Sequence, residues 1–333
     1  MKIGKISENV YKRSVLKELM HKRKEIINGA GIGEDCAILA FYEEEVPAAE
    51  KKVVTGITTV TGITKDVGGI AIHRAANDLA ASGGEPVAVM FSLLLPENTE
   101  EAELKNIIRQ MEETCSQLNI QITGGHTEIA ADIKHPVLTV SGTGKSIDNT
   151  YRLSSMAKPD QDVVISKWIG LEGTSVIAKE KQEELVKRFS TEYIENAIGF
   201  DRYLSIIPEA ATAIKSGTGA MHNVTHGGIF GALWEMAESS GVGLEIDLKR
   251  IPVRQETIEI CNYFDINPYE LMSTGCLLMT SENGYDLAEC LKRDDIEATV
   301  IGKTTGNNDR LIINEDEKRF LTPPVTDELY KII

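Results

Sequence analysis

No CxxC pair occurs in this chain, and its five cysteines, Cys36, Cys115, Cys261, Cys276 and Cys290, are widely spaced. That argues against a disulfide framework or a structural zinc site and points to a reducing compartment. Long apolar runs are missing too: no stretch approaches the roughly 18 apolar residues that a membrane span requires, and residues 1–23 are polar and mixed in charge. The chain is therefore read as cytoplasmic, with no membrane contact. Positive charge is the third shortage, with 35 Lys and Arg against 51 Asp and Glu and a formal net charge of −16. Such a mean field repels phosphate backbones and anionic lipid, which excludes nucleic acid as a partner. An anionic small molecule stays admissible where backbone N–H groups, helix N-termini or a divalent cation cancel charge locally.

What the chain does have is the make-up of a folded globular protein, with 42% apolar and 26% charged residues. Its 333 residues suggest two domains of similar size. The polar stretch 150–161, with its Lys158-Pro159-Asp160 turn signal, sets the expected division into residues 1–150 and 151–333.

In the first half the β-branched run 51–60 reads as a strand. The Ala-rich segment 67–82 reads as a helix closed by Gly83-Gly84, and 89–95 as a buried strand. A helix capped by Asn98 or Thr99 follows, with Leu104, Ile107, Ile108, Met111, Cys115 and Leu118 along one face. Strands at 120–123 and 137–143 complete that half. In the second, strands are expected at 162–166, 244–247, 276–280, 298–301 and 311–313, a turn at 170–173, and helices at 229–240 and 253–264. Helices and strands mix without a strict βαβ rhythm, so both halves are read as α+β.

Four clusters carry chemistry. Gly29, Gly31 and Gly33 precede Glu34-Asp35, where glycines let backbone approach a ligand while a turn presents a carboxylate; a plain turn fits the same pattern. Asn77 and Asp78 sit in mid-helix although neither is a good helix former, and Arg74 four residues earlier offers a simple ion-pair alternative. Gly124-Gly125-His126-Thr127 ends an apolar strand, where two glycines are costly unless the backbone turns tightly or meets a ligand. Asn223, Thr225, His226, Gly227 and Gly228 precede the helix at 229, so free N–H groups and a positive dipole end face that loop. His222 and His226 have the spacing of a zinc pair, but Gly227-Gly228 makes a poor helix there and no HExxH occurs. Cys276 opens an apolar run and reads as a buried small hydrophobe rather than a nucleophile.

Taken in order, GIGEDCA (31–37), ITTVT (57–61), ANDLAASGGEP (76–86), ITGGHTE (122–128), HNVTHGG (222–228) with the helix after it, and MSTG (272–275) resemble the aminoimidazole ribonucleotide synthetase superfamily, the PurM-like proteins. That group includes selenophosphate synthetase, thiamin monophosphate kinase and the hydrogenase maturation protein HypE; IPVRQETIEIC (251–261) makes the second half most similar to HypE. The resemblance spans about residues 25 to 315 and implies an N-terminal α+β domain that pairs its sheet across a homodimer. It also implies a C-terminal α+β domain and ATP bound with Mg²⁺. Its site would draw on Asp35, Asn77, Asp78, Gly124, Gly125, His126, Thr127, Asn223, Thr225, Gly227 and Gly228, with Asp35 and Asp78 as metal ligands, since Mg²⁺ prefers hard oxygen donors.

Three positions depart from the family pattern. Val60 stands for the aspartate of TTD, His126 for that of GGDT, and Asn223 for the acid of DxTxGG. The terminal cysteine that carries the carboxamide in HypE-like proteins has no counterpart in the final residues Asp327–Ile333, which argues against that reaction in cis. The expectation is an ATP-dependent enzyme that activates an amide or carbonyl oxygen of a small-molecule substrate. The alternative is a nucleotide- or partner-binding protein of the same fold with turnover reduced.

Overall fold

The structure, a computed structural model, describes residues 8–9, 12, 26–28, 31–41, 51–62, 64–323 and 326–333. Gly29, the run 42–50 and most of the N-terminal 1–23 lie outside the described residues. Two compact units divide the chain: one holds 36–151 with the strand at 26–28, the other 152–333 with the segment 31–35.

The first unit is a six-stranded sheet in the order β1-β2-β3-β6-β4-β5, built from β1 (Ile26–Asn28), β2 (Ala37–Phe41), β3 (Lys51–Thr61), β4 (Gly84–Leu95), β5 (Gln121–Ile129) and β6 (Val137–Ser146). Only the β4–β5 pair is parallel. Helix α1 (Val67–Ala81) packs on β3, β6 and β4, and α2 (Glu101–Gln117) packs on α1 and β5. The Ala-rich sequence of α1 lets it lie close to the sheet. A Cβ at Gly142 of β6 would come within 2.9 Å of Leu79 Cδ1, and one at Gly68 within 2.5 Å of the Ile107 carbonyl of α2. In α2 the buried residues are Ile107, Met111, Thr114 and Cys115, a 3.6-residue stripe, while Glu101 and Glu103 complement the helix dipole in the first turn. Neither Asn98 nor Thr99 caps this helix: it begins after Glu100, and Thr99 N–H closes a turn on the Pro96 carbonyl.

Two readings of strand ends change here. Strand β4 starts at Gly84 rather than 89, because β6 pairs with it from Gly84 onward. Strand β5 runs on through Gly124-Gly125-His126-Thr127 to Ile129 instead of ending in a turn. Gly124 and Gly125 are in register with Met90 and Phe91, and a Cβ on Gly125 would sit 2.8 Å from the Phe91 ring, so that glycine answers to packing within the sheet.

The second unit is a seven-stranded sheet in the order β13-β12-β9-β11-β7-β10-β8. Its strands are β7 (Asp162–Ser166), β8 (Met221–Asn223), β9 (Gly243–Asp247), β10 (Leu277–Ser281), β11 (Ala298–Thr305), β12 (Arg310–Asn314) and β13 (Glu317–Phe320). All neighbours are antiparallel except β12 with β9. Its helices are α3 (Leu171–Glu180), α4 (Gln182–Leu185), α5 (Thr191–Ile198), α6 (Ile207–Lys215), α7 (Gly228–Ser240), α8 (Gln255–Phe264) and α9 (Gly284–Arg293). Ile229, Leu233 and Met236 of α7 share one core with Ile165, Leu244, Ile246 and Leu278, while α9 packs against β7 and β11. Val163, Val164 and Ile165 are all fully buried, as a strand covered on both faces demands. The expected turn at 170–173 is instead the start of α3: Gly170 is its N-cap at φ 73°, and Gly173 lies inside the helix, where a Cβ would stand 2.5 Å from Leu271.

Candidate functional site

In the second unit the carboxylate segment 31–35 lies on α7 and β8. Gly33 has φ +67°, and a Cβ there would be 2.4 Å from the Glu235 carbonyl, so the approach is open to glycine alone. Glu34 Oε1 accepts the Ser239 hydroxyl at 3.1 Å, and Asp35 Oδ2 accepts the Asn223 N–H at 3.0 Å. Beneath them lies His222, only 2% exposed. Its Nδ1 is 2.8 Å from Ser154 Oγ and 3.3 Å from Asp35 Oδ2, and its Nε2 is 3.3 Å from Glu235 Oε2. Burial alone would lower the imidazole pKa, but Asp35 and Glu235 on its two sides outweigh it and raise it to about 10. His222 is thus a buried imidazolium between two acids, and it fixes where Asp35 stands.

Sequence reasoning did not find this role, because Asp35 and Ser154 are far from His222 in the chain and Glu235 lies in the helix after it. The zinc spacing of His222 and His226 does not operate, since His222 lies in a strand and His226 in the loop after it. Among the described residues no group of three or more His, Cys, Asp or Glu is arranged to hold a metal.

The loop 225–228 departs from expectation in its donors. Gly227, at φ 74°, is the N-cap of α7, and its N–H is not free: it donates to Asp327 Oδ2 at 2.7 Å. Gly228 N–H turns back to the Thr225 carbonyl at 3.2 Å, and the same carbonyl accepts Ser273 N–H of the MSTG segment. The Asn223 side chain is buried, while Thr225 and His226 are half-buried. Cys276 is fully buried and its thiol pKa is pushed up to about 12 by burial, which makes it an inert core residue.

In the first unit Asn77 is fully buried in α1 and Asp78 beside it half-buried. His126 and Gly124 lie on β5 beside Ser92 and Met90 of β4, on the sheet face opposite the helices. That face is open: Ile57, Ser141 and Met90 form one cross-strand row, with Ile57 69% and Met90 56% exposed. The His126 side chain is itself exposed and 3.1 Å from Glu128. Val60, at the position of the missing aspartate, is buried at 5% exposure. Asp35, Asn223, Thr225, Gly227 and Gly228 thus gather in the second unit, whereas Asn77, Asp78, Gly124, Gly125, His126 and Thr127 belong to the first.

Comparison with known proteins agrees with this architecture. The AIR synthase related protein N-terminal domain matches residues 33–146, and the C-terminal domain of the same family matches 158–314. A hydrogenase expression/formation protein of Methanocaldococcus jannaschii is 26% identical over 347 residues, covering 99% of this chain and 97% of that protein. Thiamine-monophosphate kinase of Pyrococcus horikoshii is 26% identical over 311 residues, covering 91% and 93%. Among solved structures, hydrogenase maturation protein HypE in complex with ATP aligns with a TM-score of 0.72 at 16% identity, over 98% of this chain and 97% of that one. With both of its domains matched in order, the chain belongs to the AIR synthase related, PurM-like family.

Proposed function

We propose that the chain is an ATP-dependent enzyme. An amide, carbonyl or similar oxygen of a small-molecule substrate attacks the γ-phosphorus, the bond to the β-phosphate oxygen breaks, and ADP leaves with a phosphorylated, activated oxygen on the substrate. The observation that carries this reading is the match of both family domains, alongside an ATP-holding relative that covers nearly the whole chain.

Positioning and charge neutralisation are the main catalytic resources for such a transfer. Asp35 and Asp78 would hold Mg²⁺. The donor set suits that ion, which takes one or two carboxylates plus phosphate oxygens and water rather than an all-protein cage. Bound Mg²⁺ would neutralise charge on the phosphates. Gly124, Gly125, Thr127, Thr225, Gly227 and Gly228 are proposed as phosphate-binding residues. Asn77 and Asn223, both buried, would brace Asp78 and the 225–228 loop, and His126 would donate to a phosphate oxygen.

A second reading has its own support. Val60 is buried, and His126 pairs with Glu128 on an open face, so neither supplies the family's carboxylate. That favours a nucleotide-binding protein with turnover reduced. Calorimetric titration with ATP, with and without Mg²⁺, followed by a phosphate-release assay separates the two. Mg²⁺-dependent release that disappears in Asp78→Asn supports the enzyme, and binding without release across candidate amides supports the second reading.

The exposed row Ile57–Ser141–Met90 suits a further part of the proposal, that this sheet face pairs with a second copy of the chain.

A further inference from the structure

The amide expected to meet phosphate is already engaged by an acid from the same chain. Asp327 is 3% exposed; its Oδ2 accepts Gly227 N–H at 2.7 Å, and its Oδ1 accepts Met272 N–H at 3.2 Å and Leu329 N–H at 2.9 Å. One carboxylate thereby ties the glycine loop 225–228 to the MSTG segment. It stands at the N-terminus of the 13-residue helix α7, which has no side-chain cap of its own.

The residues after it reach the same glycine loop and the turn that precedes MSTG. Leu329 is 1% exposed, Glu328 Oε2 accepts Asn267 N–H at 3.3 Å, and the Tyr330 ring lies parallel to that of His226 with centroids 6.2 Å apart. Lys331 closes the turn on Glu328 at 2.6 Å.

A buried carboxylate is stripped of water, and the hydrogen bonds that Asp327 receives come from three backbone amides. Burial raises its pKa, the three amides oppose that, and the charge of Glu172 adds to the rise. What the carboxylate does match is the ligand class of the loop: an anion with two or more oxygens, received by converging N–H groups.

We propose that residues 326–333 form an intramolecular strap whose Asp327 carboxylate occupies the anion position at Gly227 and leaves it before a phosphate binds there. The inference rests on the reading, given above, that loop 225–228 faces phosphate. A strap closed nine-tenths of the time weakens apparent anion affinity about tenfold.

The test uses the full chain as wild type, Asp327→Asn and Tyr330→Ala. The first change removes the competing charge; the second leaves the carboxylate and loosens the strap through its ring contact. Thermal melts confirm that each variant is folded. Titrations use inorganic tripolyphosphate, which reads the anion position alone, and ATP, which reads the nucleotide site.

Tripolyphosphate binding about tenfold tighter in both variants, with faster hydrogen exchange at the Gly227 amide, supports the strap, and does so whether or not ATP binds. Affinities equal to or weaker than wild type in both variants overturn it, and if wild type still binds ATP the enzymatic reading survives that failure. Binding of neither probe by any of the three proteins overturns both.

Discussion

Replacing His222 by glutamine removes the cation from between Asp35 and Glu235 while keeping a side chain of similar reach. The imidazole pKa rises from 6.5 to about 10 in the folded chain, a span of roughly 3.5 units, and at about 1.4 kcal/mol per unit the ceiling on its stabilisation is roughly 5 kcal/mol. Breaking a buried ion pair by deleting one partner costs about 3–5 kcal/mol, so a loss near 3 kcal/mol at pH 6 is the expected outcome.

The pH dependence has a definite sign. Because the folded pKa lies above the unfolded one, the imidazolium contribution is complete below about pH 6.5 and is lost as pH rises through 10. The gap in stability between wild type and His222→Gln should therefore be widest at pH 6 and shrink steadily toward pH 10. Both tryptophans of the chain, Trp168 and Trp234, lie in the unit that holds His222, so urea titration followed by tryptophan fluorescence reports on that unit even if the other unfolds separately. A gap that stays constant from pH 6 to 9.5 would refute the reasoning, since it would mean that His222 is neutral and merely packs.

Gly33→Ala should cost more than about 2 kcal/mol, because a Cβ there meets the Glu235 carbonyl at 2.4 Å and φ is +67°; wild-type stability in the same urea titration would contradict this. Asp78→Asn should lower Mg²⁺-dependent phosphate release at least about a hundredfold, as the loss of a metal-held charge does in phosphoryl transfer, with the melting temperature nearly unchanged. Ile57→Lys, a change at a residue 69% exposed, should leave the fold intact and convert a dimer to monomer in sedimentation velocity; an unaltered sedimentation coefficient counts against pairing through that face. Cys276 should resist a thiol reagent until the chain unfolds, since it is fully buried and its pKa stands near 12.

Much of the architecture was legible because helical and strand periods are strong local signals. The α1 and α2 segments, and β7, β9 and α7 in the second unit, fall within a residue or two of their expected ends. What was missed depends on partners distant in sequence. Strand β8 is three residues long and exists because Leu277, Leu278 and Met279 of β10 pair with it. The glycines of β5 looked like a turn because the Phe91 ring that excludes a Cβ at Gly125 belongs to another strand. For the site, glycine-acid clusters picked out Asp35 and the 225–228 loop, yet nothing near His222 or Asp327 foretold that one would brace Asp35 and the other would satisfy the Gly227 amide. Both are contacts over long chain separations: 187 residues for Asp35 to His222 (222 − 35) and 100 for Gly227 to Asp327.

The segment 31–35 keeps company with a unit whose main body starts 117 residues after it ends (152 − 35). A fragment cut at residue 152, the obvious place to divide the gene, would leave the His222 imidazole with Glu235 and Ser154 but without its first acid, and α7 without the backbone that covers Glu235. Such a half-molecule should unfold at lower urea than the same fragment with residues 31–35 grafted back, since Glu34 and Asp35 bond Ser239, Asn223 and His222. The compact unit that holds His222 is therefore stitched from two separate stretches of the chain.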